Sequence, residues 1–303
     1  MNYFPEFTHF LREMQDRLTD ELNSLEENQN SSIRFQSDEW QGGDWLKGGG
    51  RSCVIEDGAV LERGGVNFSE VYGLLPDDLA EKMPGESRDF RAAGISIVLH
   101  PRNPHAPTVH ANFRMICRGN PEAPEKLWFG GGGDLTPMYL YEDDAIFFHK
   151  TWREVCDLHS DVASYVTMKR DCDEYFYLPH RREARGIGGI FYDYRQDSPD
   201  KMLAFSKDAG NAFIQAYIPI LRKRNALPWT EEEREFQLWR RGRYVEFNLA
   251  FDRGTQFGLK TGGRIESILM SLPPLVRYRY NYSPKPGREA DIMAVLKTPR
   301  DWI

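Results

Sequence analysis

The chain has 303 residues, enough for one large domain or two small ones, and its 40% hydrophobic and 28% charged residues are those of an ordinary globular protein. A net charge of −7 and a pI of about 5.6 exclude a protein whose whole surface binds nucleic acid, and no apolar run is long enough to span a bilayer. The four cysteines (Cys53, Cys117, Cys156, Cys172) include no CxxC pair and read as buried thiols of a reducing compartment, not as disulfides, zinc ligands or an iron–sulfur site.

Phe4, Phe7, Leu11, Met14, Leu18, Leu22 and Leu25 recur at steps of three and four, which predicts an amphipathic helix over about 3–27. Residues 1–28 carry seven acids against Arg12 and Arg17, unlike a mitochondrial presequence, so a cytoplasmic location is expected. Residues 28–50 are polar and end in Gly48-Gly49-Gly50, which predicts a loop. From 51 to 73 the pattern alternates, with Asp57-Gly58 as a hairpin turn. Residues 74–91 read as loop with one helical turn at most.

GISIVLH and HANFRMI, within 94–115, read as two strands around a proline-rich loop. Side chains alternate along a strand, so Ser96, Val98 and His100 share a face, as do His110, Asn112 and Arg114. Paired as a hairpin, the strands gather Ser96, His100, His110, Asn112 and Arg114 on one side. A solvated face usually carries Lys, Glu and Thr instead, so a binding site is the preferred reading.

LWFGGGGDLTPMYLY, 127–141, holds four consecutive glycines, Gly130 to Gly133, followed by Asp134. The glycines alone suggest a flexible turn with a bulge, or a backbone that something must approach closely. Asp134, a lone carboxylate between apolar segments, tilts the stretch towards chemistry.

A long helix is expected from Glu142 to about Asp171, with His149 in its first turns. His180 and the cluster Arg181, Arg182 and Arg185 precede a strand at 188–194; the arginines suit either a solvated face or a carboxylate site. Ser198-Pro199 opens a helix to about 224. Thr230 and Glu233 form a capping box for a helix at 231–241, stopped by Gly242. RYVEFNLAFDRG, 243–254, alternates as a strand does. Gly262-Gly263-Arg264 then precedes a short helix, equally a plain turn or an anion site. VRYRYNY, 276–282, is read as a last strand, and 288–296 as a last helix. The pattern, without regular βαβ alternation, predicts an α+β fold: one domain over 1–303, with a large antiparallel sheet of about seven strands flanked by helices on both faces.

HANFRM, WFGGGGDLTP, YLPHRREARGIGGIFYD, RRGRYVEFNLAFDRGTQFGLKTGGRIESILMSLPP and VRYRYNY, in this order, resemble the signature blocks of oxygen-dependent coproporphyrinogen-III oxidases. The resemblance covers nearly the whole chain. It implies that dioxygen oxidatively decarboxylates two propionates of coproporphyrinogen III to vinyls, giving protoporphyrinogen IX, with no organic cofactor. It implies substrate contacts at Ser96, Asn112, Phe113, Arg114, Gly262, Gly263 and Arg264, catalytic roles for Arg114 and Asp134, and a proton donor in His110. It also matches His100, His110, His149 and His180 to positions proposed as ligands of a divalent metal in some bacterial members, although the family is regarded as metal-independent. A homodimer joined through about 244–279 is expected, with no nucleic-acid partner. In the detailed expectation, Asp134 faces the pyrrole N–H groups and Arg114 grips a propionate; the structural alternative is a salt bridge between the two. The rival functions are a His-ligated metal oxygenase and a non-catalytic tetrapyrrole carrier.

Overall fold

The computed structural model describes residues 2–43, 46–260 and 263–303. In chain order the elements are α1 (Phe4–Asn28), β1 (Gln36–Gln41), β2 (Leu46–Glu56), β3 (Leu61–Leu74), the single turn α2 (Asp77–Ala80), β4 (Asp89–Pro101), β5 (Thr108–Asn120) and β6 (Ala123–Thr136). Then come α3 (Glu142–Leu158), α4 (Tyr165–Tyr175), the short pair β7 (Tyr177–Leu178) and β8 (Glu183–Ala184), and β9 (Gly189–Arg195). The chain ends with α5 (Pro199–Asn225), α6 (Glu231–Ala250), α7 (Arg253–Lys260), α8 (Ile265–Leu269) and α9 (Arg288–Lys297).

The main sheet has seven strands in the order β1-β2-β3-β4-β5-β6-β9, each antiparallel to its neighbour. The α+β expectation therefore holds, as one body. Period-2 alternation gives the sheet two unlike faces. On one, Phe68, Ile95, Phe113, Met115 and Phe129 are fully buried and join the apolar stripe of α1, together with α3 and α5, in the main core. The other face carries the small and polar alternates, and α4, α6 and α8 cover its two ends.

Several elements differ from the expectation. Residues 28–50 hold β1 and the start of β2, because Gly49 and Gly50 pair with Gln41 and Trp40 instead of turning. The helix expected over 142–171 is two helices, with Ser164 capping the second through the Thr167 amide. Residues 243–254 are not a strand: α6 runs through Gly242 to Ala250, because Phe236, Trp239, Arg243, Tyr244 and Phe247 also recur at helical spacing and are buried. Gly242 is no stop. A Cβ there would lie 3.2 Å from the Tyr278 ring, so the glycine makes room for Tyr278 to pack. Residues 276–282 form no strand either; they run along α6, with the Arg277 amide donating to Leu238 O and Tyr282 against Trp239. Their alternation serves a helix surface, not a sheet.

Candidate functional site

The antiparallel register lines up residues of different strands on the polar face. One row reads Gly50, Ser69, Gly94, Arg114, Gly130; the next reads Ser52, Asn67, Ser96, Asn112, Gly132; a third reads Val54, Gly65, Val98, His110, Asp134. Glycine and serine thus form a low floor from which Arg114, Asn112 and His110 rise.

One end of this floor is covered by α8. Met270 drops onto Gly65, where a Cβ would sit 1.7 Å from the Met270 sulfur. Ser267 Oγ lies 2.8 Å from Ser52 Oγ, and its carbonyl accepts from Asn67. His100 belongs to this docking: its Nε2 is 2.9 Å from the Ser271 carbonyl and its Nδ1 is 3.3 Å from Thr108 Oγ1. The row with Arg114 stays partly open. At the opposite side an aromatic wall stands, made of Tyr175, Phe176, Phe191 and Phe247.

Arg114 does not pair with Asp134. Its Nη1 donates to Asn112 Oδ1 at 2.7 Å, and its Nη2 lies 2.8 Å from Asp193 Oδ1. Gly130 permits this: a Cβ there would come within 2.9 Å of the Arg114 guanidinium carbon and 2.8 Å of Asp193 Oδ1. The glycine run is therefore neither a turn nor a bare floor. Gly130 makes room for a guanidinium, Gly132 adopts φ +136 at the β6–β9 contact, and Gly133 backs onto Trp152 of the core.

Asp134 lies opposite His110 across β5 and β6, and its side chain is 1% exposed. His110 Nδ1 is 2.8 Å from Asp134 Oδ1, and Arg185 Nη2 donates to both carboxylate oxygens at 2.9 Å. Burial alone would raise the Asp134 pKa, but the Arg185 charge and the His110 contact outweigh it and hold the carboxyl below its usual range. An ionised carboxylate only accepts hydrogen bonds, so His110 donates through Nδ1 and carries its acceptor at Nε2. The His110 side chain is 23% exposed, whereas Asp134 stands behind it. In this arrangement Arg185 and His110 take the oxygens of Asp134, and His110 is the more exposed member of the pair.

The other predicted residues fall as follows. Ser96 and Asn112 are opposite each other on the floor. Phe113 is on the other face, fully buried in the core, so its side chain is out of reach of the floor. Gly262 lies outside the described residues. Arg264 caps α8 and pairs with Asp38 of β1, in the Ser52–Asn67–Ser96 row, with Gly263 beside it. The four histidines are not brought together. His149 sits in the core between Tyr165 Oη and the Ile187 carbonyl, and His180 is near the surface, 2.7 Å from Glu246 and stacked on Phe251. Among the described residues no three His, Cys, Asp or Glu side chains are arranged to hold a metal. Both ring nitrogens of His100 and of His149 are spent on hydrogen bonds within the fold.

Two residues at the rim escaped the sequence reading, Asp252 and Arg253. Asp252 accepts from Tyr175 Oη and the Thr255 amide; burial would raise its pKa, but the Thr255 amide foremost holds it low. Arg253 stacks over Tyr175 and lies 3.6 Å from Asp193, with its side chain 58% exposed. The DRG triplet carries both residues, but the alternation of 243–254 reads as a strand and hides them. A separate cleft of about 550 Å³, lined by Tyr72, Phe90, Arg91 and Gly119, opens on the α1 face. Arg91 there is already held by Glu70 and stacked on Phe4.

Residues 6–302 match the coproporphyrinogen III oxidase family model. An oxygen-dependent coproporphyrinogen-III oxidase of Francisella philomiragia is 47% identical over 98% of both chains. Enzymes of the same name from Francisella tularensis subspecies holarctica and novicida are each 46% identical, again over 98% of both chains.

Proposed function

This chain belongs to the oxygen-dependent coproporphyrinogen-III oxidase family, and we propose that the glycine- and serine-floored face of its sheet holds coproporphyrinogen III. The protein is an aerobic coproporphyrinogen-III oxidase, an oxidoreductase of haem biosynthesis. Each of two propionates is converted to a vinyl group. The balanced step is propionate plus O2 plus a proton, giving vinyl, CO2 and hydrogen peroxide. A turnover therefore takes up protons, and a site must supply them.

The observation that carries the assignment is the placing of Arg114 and His110 on the same open face of β5. Four residues of strand separate them by roughly 13 Å. That spacing suits a macrocycle lying flat on the floor, with a propionate at Arg114 and the reacting ring near His110. Arg114 would exchange its Asp193 contact for the substrate carboxylate, in a charge-assisted pair. Arg253 and Arg264 offer further cations at the two sides, and Ser96 and Asn112 offer neutral polar contacts. His110 handles protons at Nε2 while Asp134 fixes its ring and balances its charge. An electron-rich pyrrole, deprotonated or polarised by this group, reacts with O2 directly, so the chemistry needs no organic cofactor. Retention of turnover after dialysis against EDTA tests whether it also needs no metal; restoration by manganese, iron or copper would favour the metal reading.

Incubating the protein with coproporphyrinogen III in air and under argon, with products separated by chromatography, tests the function. Protoporphyrinogen should form in air alone. Substrate bound but unchanged in air would point to a carrier instead.

We also infer a homodimer joined through about 244–279. Leu249, Phe251, Leu259, Ile265, Leu275, Val276 and Tyr278 are exposed there, and Tyr280 beside them is 96% exposed. Large apolar side chains left exposed this densely along one stretch suit an interaction surface.

A further inference from the structure

Arg185 makes two kinds of contact at once. It follows β8, its side chain is 2% exposed, and its guanidinium lies 4.1, 4.6 and 4.8 Å from the ring centres of Phe176, Tyr244 and Phe247. Nη2 serves both oxygens of Asp134, whereas Nη1 donates to Asn248 Oδ1 at 2.9 Å. Asn248 is itself buried on α6 and reaches Ser271 Oγ at 3.4 Å.

Charge balance for Asp134 would require only the first contact. The second fixes the plane of the guanidinium. A planar fork held at Nη1 presents Nη2 in one direction, and that direction sets the plane of the carboxylate it grips. The carboxylate plane in turn sets where His110 points, because Asp134 Oδ1 receives both Arg185 and the His110 Nδ1–H.

We propose that Arg185 and Asn248 are positioning residues for the oxidase reaction: together they orient Asp134 so that His110 keeps its proton on Nδ1 and turns Nε2 to the open face. The proposal rests on the proton-handling role assigned to His110. Neither residue contacts the floor; both act through Asp134.

The obvious variant is Arg185→Lys, which keeps the charge and loses the fork. Since a lysine among three aromatic rings could fail to fold, Asn248→Leu is the second variant; it preserves the volume and removes the Nη1 acceptor. For each, kcat and KM with coproporphyrinogen III in air are measured beside the 15N resonances of the His110 ring. The unaltered protein should show the Nδ1–H form. The variants should show a mixture of Nδ1–H and Nε2–H forms, with kcat lowered roughly tenfold to a hundredfold and KM little changed. A lower melting temperature with an unaltered ring spectrum and kcat would overturn the proposal, since that is what a purely structural contact predicts. An altered ring spectrum with unchanged kcat would overturn it as well, and would locate the fault in the proton role of His110, not in its alignment.

Discussion

His110 and Asp134 face each other in the β5–β6 register, and the 2.8 Å contact between them joins a partly exposed imidazole to a carboxylate shut away from solvent. The pair divides one chemical task. In the proposed mechanism the carboxylate, locked by Arg185, supplies charge and direction, and the imidazole takes up and returns a proton at Nε2.

Removing the two members should therefore have different consequences. His110→Gln should leave the melting temperature nearly unchanged and lower kcat by about 10²–10⁴-fold. Asp134→Asn should lower kcat and also destabilise the fold, because it strands the buried Arg185 charge, at a cost of roughly 3–5 kcal/mol. Steady-state kinetics and thermal melts on both variants check this. A well-folded His110→Gln enzyme with normal kcat would remove His110 from the mechanism.

Arg114 is partly exposed, and its partners Asn112 and Asp193 lie on the same face. Arg114→Ala should raise KM and lower kcat/KM by the worth of a charged hydrogen bond, roughly 1.5–3 kcal/mol, with little loss of stability. Gly130→Ala tests the same contact without touching a charge. Its new methyl group would displace the Arg114 and Asp193 side chains, whose ends can move, so KM should rise while the melt stays close to normal. Unchanged KM in both variants would place the propionate elsewhere.

Stability should begin to fall in mild acid, near the ordinary histidine value. His100 and His149 are buried, and burial above all lowers their pKa from 6.5 to about 3. Below 6.5 the unfolded chain takes up protons that the folded chain refuses, so folding weakens as pH drops from 6.5 to about 3. Each group contributes at most about 1.4 kcal/mol per pH unit. Asp134 and Asp252, held low in the fold, contribute stability above their ordinary value of 3.8 that is lost as pH falls through their depressed folded values. Urea midpoints between pH 7 and 4 should therefore decline, and His149→Gln should flatten the decline. An equal slope in that variant would contradict the assignment.

The exposed apolar surface around 249–280 should be covered by a second copy. Sedimentation at micromolar concentration should give twice 35.2 kDa. Tyr280→Asp, which places a charge at the most exposed of these aromatics, should shift the equilibrium towards monomer without altering the far-ultraviolet spectrum. A wild-type protein that sediments as a monomer would rule the dimer out.

The amino-acid sequence by itself determined the elements whose cause is local. The stripe from Phe4 to Leu25 makes α1, the Thr230–Glu233 box starts α6, and the alternation of HANFRM puts His110, Asn112 and Arg114 on one face. The ordered blocks also identified the family. Tertiary structure decided what depends on a distant neighbour. Whether Gly242 ends a helix depended on Tyr278, and whether RYVEFNLAF became strand or helix depended on the surface waiting for Phe247. The partner of Asp134 could not be read locally, since Arg185 lies 51 residues away and beyond β8. Spacing along a chain reports which residues share a face; only the packed sheet brings two such faces together, and there desolvation selects which charges must meet.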